Sequence, residues 1–179
     1  PGIRQYVEAD VTALPGLLER AYAGSTERRP FAPGGTRAEW VDYVGQLLTT
    51  RGCGLFMPPA SVVFTAGNAD GAPGGINIDG VSIVTAISDT HAHLAQVAVD
   101  PGARSQGIGK ALIEGASASA RACGFSRLTL FVAGGNRRAR ALYDRLGFRV
   151  TTSFTAAVRV QPRLSTSVAP SAGGARTLR

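Results

Sequence analysis

Hydrophobic and polar positions change period several times along this chain, and the changes outline alternating strands and helices. Alternation over residues 3–7 predicts an edge strand. Asp10 is placed to cap a helix carrying Leu14, Leu17, Leu18 and Ala21, with Gly24 beyond its end. Pro15 inside that span implies a kink or a later start. Residues 25–35 are rich in proline, glycine and charge and read as a loop. Thr36 caps a second helix through Trp40, Tyr43, Val44, Leu47 and Leu48, in which Trp40 and Tyr43 read as core before pocket lining. Residues 61–66 form a β-branched strand, residues 68–75 a glycine-rich turn, and residues 81–87 and 91–99 two further strands joined at Ser88-Asp89-Thr90. A helix over residues 108–122 buries Ile108, Leu112, Ala116 and Ala120 and stops at Gly124. Residues 128–132 read as a parallel-type strand, apolar except for Thr129. Asn136 caps a last helix with Leu142 and Leu146 facing inward and Gly147 at its end. Residues 155–160 can close the sheet, which gives one domain over 1–160 and a flexible tail over 161–179.

The chemistry concentrates in residues 94–150. There an apolar strand, ended by Asp100-Pro101-Gly102, is followed by Arg104-Ser105-Gln106-Gly107-Ile108-Gly109-Lys110 and then directly by a helix. Glycines ahead of a helix start leave unpaired N–H groups at the positive end of the helix dipole, a ready site for a phosphate or pyrophosphate. A P-loop is excluded, because Arg104 stands where its first glycine belongs and Ala111 follows Lys110. The dinucleotide fingerprint fails at its third glycine, which is Leu112. What remains is Arg-x-x-Gly-x-Gly on a strand-to-helix turn. With Val97-Ala98-Val99-Asp100-Pro101 before it and the Asn136…Ala139-x-x-Leu142-Tyr143-x-x-x-Gly147-Phe148 pattern after it, the segment resembles the GNAT superfamily of acyl-CoA-dependent N-acyltransferases. The resemblance is greatest to single-domain members from GC-rich bacteria. It covers about a third of the chain closely, and the first half in pattern only.

Composition narrows the setting. At 179 residues, with 44% hydrophobic and 17% charged positions, the chain fits one globular domain. No apolar run approaches the ~20 residues that span a bilayer, and residues 1–4 lack the apolar core of a signal peptide. Cys53 and Cys123 have neither metal nor redox spacing; they fit a reducing cytoplasm, as small core fillers. The net charge of +7 is almost wholly arginine, Lys110 being the only lysine. Such a balance can serve nucleic acid, but sparse aromatics argue against it, although some superfamily members acylate charged transfer RNA. Coenzyme A is itself a polyanion, and Arg104, Arg137, Arg138 and Arg140 fall on the two motifs.

The resemblance implies an α/β fold of the α+β type: a mixed, mostly antiparallel sheet of six or seven strands, two central parallel strands splayed apart, and helices on both faces. It implies acetyl-CoA as acyl donor, no metal, no membrane, and an amine-bearing small molecule or peptide as acceptor, with a homodimer left open. The pantetheine arm would pair with the backbone of Val97, Ala98 and Val99 at a bulge in the family's fourth strand. The pyrophosphate would lie on the amides of Arg104, Ser105, Gln106, Gly107, Ile108, Gly109 and Lys110. Val97 N–H would polarise the carbonyl. Asn136 and Tyr143, on one helix face, would run along the cofactor, and Tyr143 would return a proton to the leaving thiolate. Counting back along the strand places His93 as general base, with Asp89 or a water chain as rivals. Glu27, Glu39 and Asp42 are acids that could meet a cationic amine, though exposed acids on loops and helices usually just face solvent. Two other classes stay open: a catalytically idle acyl-CoA sensor, and a protein for another nucleotide such as ATP or NAD.

Overall fold

The computed structural model describes residues 2–66 and 77–155. The glycine-rich turn expected at 68–75 lies outside the described residues. So does the tail, and so does the closing strand apart from Thr155, which is irregular.

Six strands, β1 (Gly2–Gln5), β2 (Leu55–Phe56), β3 (Val62–Thr65), β4 (Gly80–Ser88), β5 (His91–Val99) and β6 (Arg127–Leu130), form one sheet. Its order is β1-β3-β4-β5-β6, with β2 also on β4. Every pairing is antiparallel except β5 with β6, which run parallel. The helices are α1 (Leu14–Ala21), α2 (Arg37–Thr49), α3 (Ile108–Ala122) and α4 (Arg137–Arg145). Among the described residues no helix is long and apolar enough to cross a membrane.

Two cores lie on opposite faces of the sheet. On one, α1 and α2 press Leu14, Leu17, Leu18, Trp40 and Val44 against Val63, Val81, Ile83 and Ala98. On the other, Ile108, Leu112, Ile113 and Ala116 of α3 meet Val62, Val84, Ala92 and Leu94, with Leu142, Tyr143 and Leu146 of α4 at the margin. Truncating a fully buried leucine such as Leu112 to alanine would cost about 2–5 kcal/mol.

β5 changes face along its length. Val84 pairs with Leu94 but Ile83 pairs with Gln96, so Ala95 is an extra residue on β5. Before this bulge the even positions Ala92 and Leu94 face α3; after it the odd positions Val97 and Val99 do.

Several local expectations change. Asp10 does not cap α1: its carboxylate accepts from Val7 N (2.9 Å) and from Arg4 Nη1 (2.8 Å) and Nη2 (2.6 Å) within a 3-10 turn over Glu8–Thr12. Burial alone would raise the Asp10 pKa, but the hydrogen bonds from Arg4 and Val7 outweigh it and hold the carboxyl below its usual value. Helix α1 starts later, at Leu14, with Pro15 in the first turn, where its missing N–H costs nothing. The loop expected over 25–35 contains a 3-10 turn, Thr26–Arg28, capped by Ser25. Strand β6 ends at Leu130, so Phe131 and Val132 are exposed and not in the sheet. Both cysteines are exposed, Cys53 between two glycines in a turn and Cys123 at the end of α3, so neither fills the core. Thr36 caps α2 as expected, in a box with Glu39.

Candidate functional site

A parallel pair that parts company leaves one strand with an unpaired edge. β6 pairs with β5 only from His91 to Leu94, and beyond Leu94 no described strand lies on that side. The ladder to β4 tells which backbone groups are free. Asp100 N donates to Asp79 O at 2.7 Å, so the two-residue alternation of an antiparallel ladder turns Ala98 toward β4 and turns Val97 and Val99 away from it. The N–H groups of Val97 and Val99 and the C=O of Val97 therefore face the gap, Val99 O also accepts from Arg104 Nε, and the N–H and C=O of Ala98 are spent on β4.

The gap ends at the glycine loop. Gly107 is the N-cap of α3 with φ 81°, and no side chain caps that helix, unlike α2 and α4. Ser105, Gln106 and Gly107 are exposed, and Ser105 is the only non-glycine residue with positive φ among the described residues, at 68°. A Cβ on Gly107 would meet nothing within 4 Å; one on Gly109 would touch Leu142 at 3.6 Å, an ordinary contact. Arg104 does not hang free over the loop: its Nη2 donates to Ala21 O (2.6 Å) at the end of α1 and its Nε to Val99 O (3.4 Å). Arg138 of α4 reaches the loop instead, donating to Ser105 Oγ at 3.1 Å. Arg140 donates to Gly134 O (3.1 Å), and Lys110 pairs along α3 with Glu114 (3.7 Å).

Helix α4 flanks the gap. Asn136 Oδ1 accepts from Ala139 N (3.0 Å), capping the helix, while its Nδ2 donates to Glu27 Oε2 (3.1 Å) in the loop between α1 and α2. Tyr143 packs edge-on to Phe148 at 5.7 Å and against the α3 core. Its pKa is pushed up to about 12, first by burial and then by Tyr22 and Glu27. The start of α4 meets the loop that follows α1 through the Asn136–Glu27 hydrogen bond.

The α1–α2 side contributes a buried amide that sequence reasoning missed. Tyr43 Oη donates to Gln96 Oε1 (2.8 Å), and Gln96 Nε2 donates to the Tyr22 hydroxyl (2.7 Å). Burial raises both phenols, with the Gln96 hydrogen bond partly opposing it at Tyr22. Tyr43 and Trp40 stack within an aromatic cluster that includes Tyr22 and Phe31. A polar residue in the apolar run from Leu94 to Val99 was the available signal for Gln96.

His93 sits where the two parallel strands part, 6% exposed, its ring 4.8 Å from that of Phe131. Its Nδ1 is 3.0 Å from Thr129 Oγ1, and His91 Nε2 is 2.9 Å from the same oxygen. Burial, and secondarily His91, lower the His93 pKa, which keeps the imidazole neutral at pH 7 and able to accept a proton. Asp89 is exposed in the turn before β5, and Glu39 is committed to the α2 cap. The arrangement thus offers an open backbone edge that ends at an uncapped helix start, a half-buried phenol on the helix beside it, and a neutral imidazole where the parallel strands part.

Known proteins share this frame. The sequence model of the Acetyltransferase (GNAT) family matches residues 60–148, about half of the chain. A mycothiol acetyltransferase of Beutenbergia cavernae is 52% identical over 50 residues, which are 28% of this chain and 17% of that protein, so the chain matches only a small part of it. The ribosomal-protein-S18-alanine N-acetyltransferase of Escherichia coli superposes with TM-score 0.59 at 23% identity, covering 84% of this chain and 78% of its own. The PaiA N-acetyltransferase of Thermoplasma acidophilum, solved in complex with coenzyme A, gives TM-score 0.59 at 18% identity over 85% of this chain and 91% of its own. The two structures share the fold, and the matched span of the family model contains the bulged strand, the glycine loop and the tyrosine helix: the chain belongs to the GNAT superfamily of acetyltransferases.

Proposed function

We propose that this chain is an acetyl-CoA-dependent N-acetyltransferase that acetylates a primary amine by direct attack in a ternary complex. The observation that carries the reading is the outward-facing backbone of Val97 and Val99 beside the uncapped start of α3. An extended pantetheine can add to that edge as a strand does, and a diphosphate suits the loop and first-turn amides from Ser105 to Lys110. Gly107 presents no Cβ there, and Arg138, held near Ser105, adds positive charge.

Within that complex Val97 N–H polarises the thioester carbonyl. His93 Nε2 takes a proton from the acceptor's ammonium, which at pKa ~10 is otherwise unreactive at neutral pH; against an imidazole lowered from its usual ~6.5 that transfer is uphill by roughly 5 kcal/mol, so it goes forward coupled to attack of the freed amine on the thioester. Tyr143, at about 12, cannot simply hand a proton to a thiolate of pKa ~8.5, because that transfer is uphill by roughly 5 kcal/mol. Its hydroxyl instead donates a hydrogen bond to the departing sulfur and passes its proton on while taking up the one that the attacking nitrogen releases, so the phenol is restored. The exposed thiols of Cys53 and Cys123 suit a reducing cytoplasm.

Calorimetry with coenzyme A, followed by thiol release from acetyl-CoA across a panel of primary amines, tests the proposal. Tyr143→Phe should lower kcat by on the order of 10²-fold while leaving the Kd for coenzyme A unchanged. No heat with coenzyme A would overturn the reading outright. Binding without thiol release from any amine would leave an acyl-CoA sensor.

A further inference from the structure

Thr129 is the one polar side chain between Leu128 and Leu130 on β6, and the parallel register sets it beside His93. Its hydroxyl lies 3.0 Å from His93 Nδ1 and 2.9 Å from His91 Nε2. A hydroxyl carries a single hydrogen, so between two imidazole nitrogens it accepts from one and donates to the other. The competing acceptor, Ala92 O, is farther away at 3.5 Å. His93 is 6% exposed, whereas His91, at the start of the strand, is half-buried. The remaining His93 nitrogen, Nε2, has no hydrogen-bond partner, yet the only sealed and unpartnered side-chain atom among the described residues is Ser82 Oγ. Nε2 is therefore reachable from outside the protein.

We infer that His93, Thr129 and His91 form a proton relay that takes the acceptor's proton at His93 Nε2 and delivers it to solvent from His91. The inference rests on the transferase reading and completes its proton balance. An ammonium acceptor loses two protons in becoming an amide: one goes to the leaving thiolate and the other must leave the protein. A proton arriving at His93 Nε2 frees the one on Nδ1, which passes to Thr129 Oγ1. The Thr129 hydrogen passes to His91 Nε2, and His91 Nδ1 releases a proton to water. No bond between heavy atoms changes, and the relay resets when the rings and hydroxyl turn back. Thr129 and His91 are positioning and relay residues here; only His93 meets the acceptor.

Nitrogen NMR of the two imidazoles reads the polarity directly. The expected state has His93 and His91 each protonated on Nδ1 and bare on Nε2; a His93 proton on Nε2 in the resting protein would overturn the relay while leaving the transferase reading intact. Kinetics supply the second arm. Thr129→Val should lower kcat about tenfold with the KM for acetyl-CoA unchanged, and Thr129→Ser should restore it. High concentrations of a small buffer should accelerate the valine variant but not the wild type, since only a proton-disposal defect can be bypassed by buffer. A valine variant with wild-type kcat, or one that serine and buffer both fail to rescue although its melting temperature is unchanged, refutes the relay.

Discussion

Single residues divide the glycine loop into two kinds of requirement. Gly107 needs its identity for backbone reasons: at φ 81° a Cβ is strained whatever space surrounds it. Gly109 has no such constraint, and the protein alone would tolerate a Cβ there. Gly107→Ala should therefore cost about 1–2 kcal/mol of stability by urea denaturation, whereas Gly109→Ala should leave stability nearly unchanged. If the diphosphate rests on these amides, both should weaken coenzyme A binding in calorimetry, and a Gly109→Ala protein with wild-type affinity would show that the ligand does not approach it. The sequence showed the glycines but not this division, because a spacing pattern carries no dihedral angle. Nor did it show that Arg104, apparent as a phosphate ligand from its place in the motif, spends its guanidinium on the carbonyls of Ala21 and Val99. Asp10 misled for the same reason: it has the right residue type before a helix, but a partner on β1, Arg4, claims its carboxylate.

At the scale of elements the apolar periods served well where one face is buried continuously. The limits of β5 and α3, and the cap of α2, follow directly from the pattern. The bulge was expected only from the family resemblance and not from the pattern, because Ala95 and Gln96 interrupt an alternation that is apolar on both faces in any case. Gln96 is what the bulge turns toward α1 and α2, and its amide ties Tyr22 and Tyr43 to the strand that carries the open edge. Gln96→Leu keeps the volume but strands two half-buried phenols, at a cost of about 1–3 kcal/mol. Adding Tyr43→Phe to that variant should recover part of the loss, which a double-mutant cycle by thermal denaturation would detect as a coupling energy. Strict additivity would mean that the three side chains are neighbours without acting as a unit. Beyond stability, slackening this tie lets β5 shift against α1, so the Gln96→Leu protein should also bind coenzyme A more weakly.

For the whole molecule, the consequence is a sheet joined on one side of the gap by a short seam. β5 and β6 share pairing only over His91–Leu94, while α4 and the α1–α2 loop meet across the opening through Asn136 and Glu27. A strand edge left open inside a fold is a liability unless something pairs with it, and here it ends at a helix start that also lacks a partner side chain. On the proposed reading both deficits are met by one molecule: an extended arm with amide groups, attached to a diphosphate. Hydrogen exchange separates this account from a generic tightening of the fold. Without ligand the amides of Val97 and Val99, which face the gap, should exchange freely, while that of Ala98, bonded to β4, should be protected. Coenzyme A should slow Val97 and Val99 and the first-turn amides of α3 without altering Ala98, and ATP or NAD should slow at most the α3 amides. Uniform protection across β5 would instead mean that the ligand stabilises the fold globally, as any bound ligand does by mass action, without pairing with the open edge.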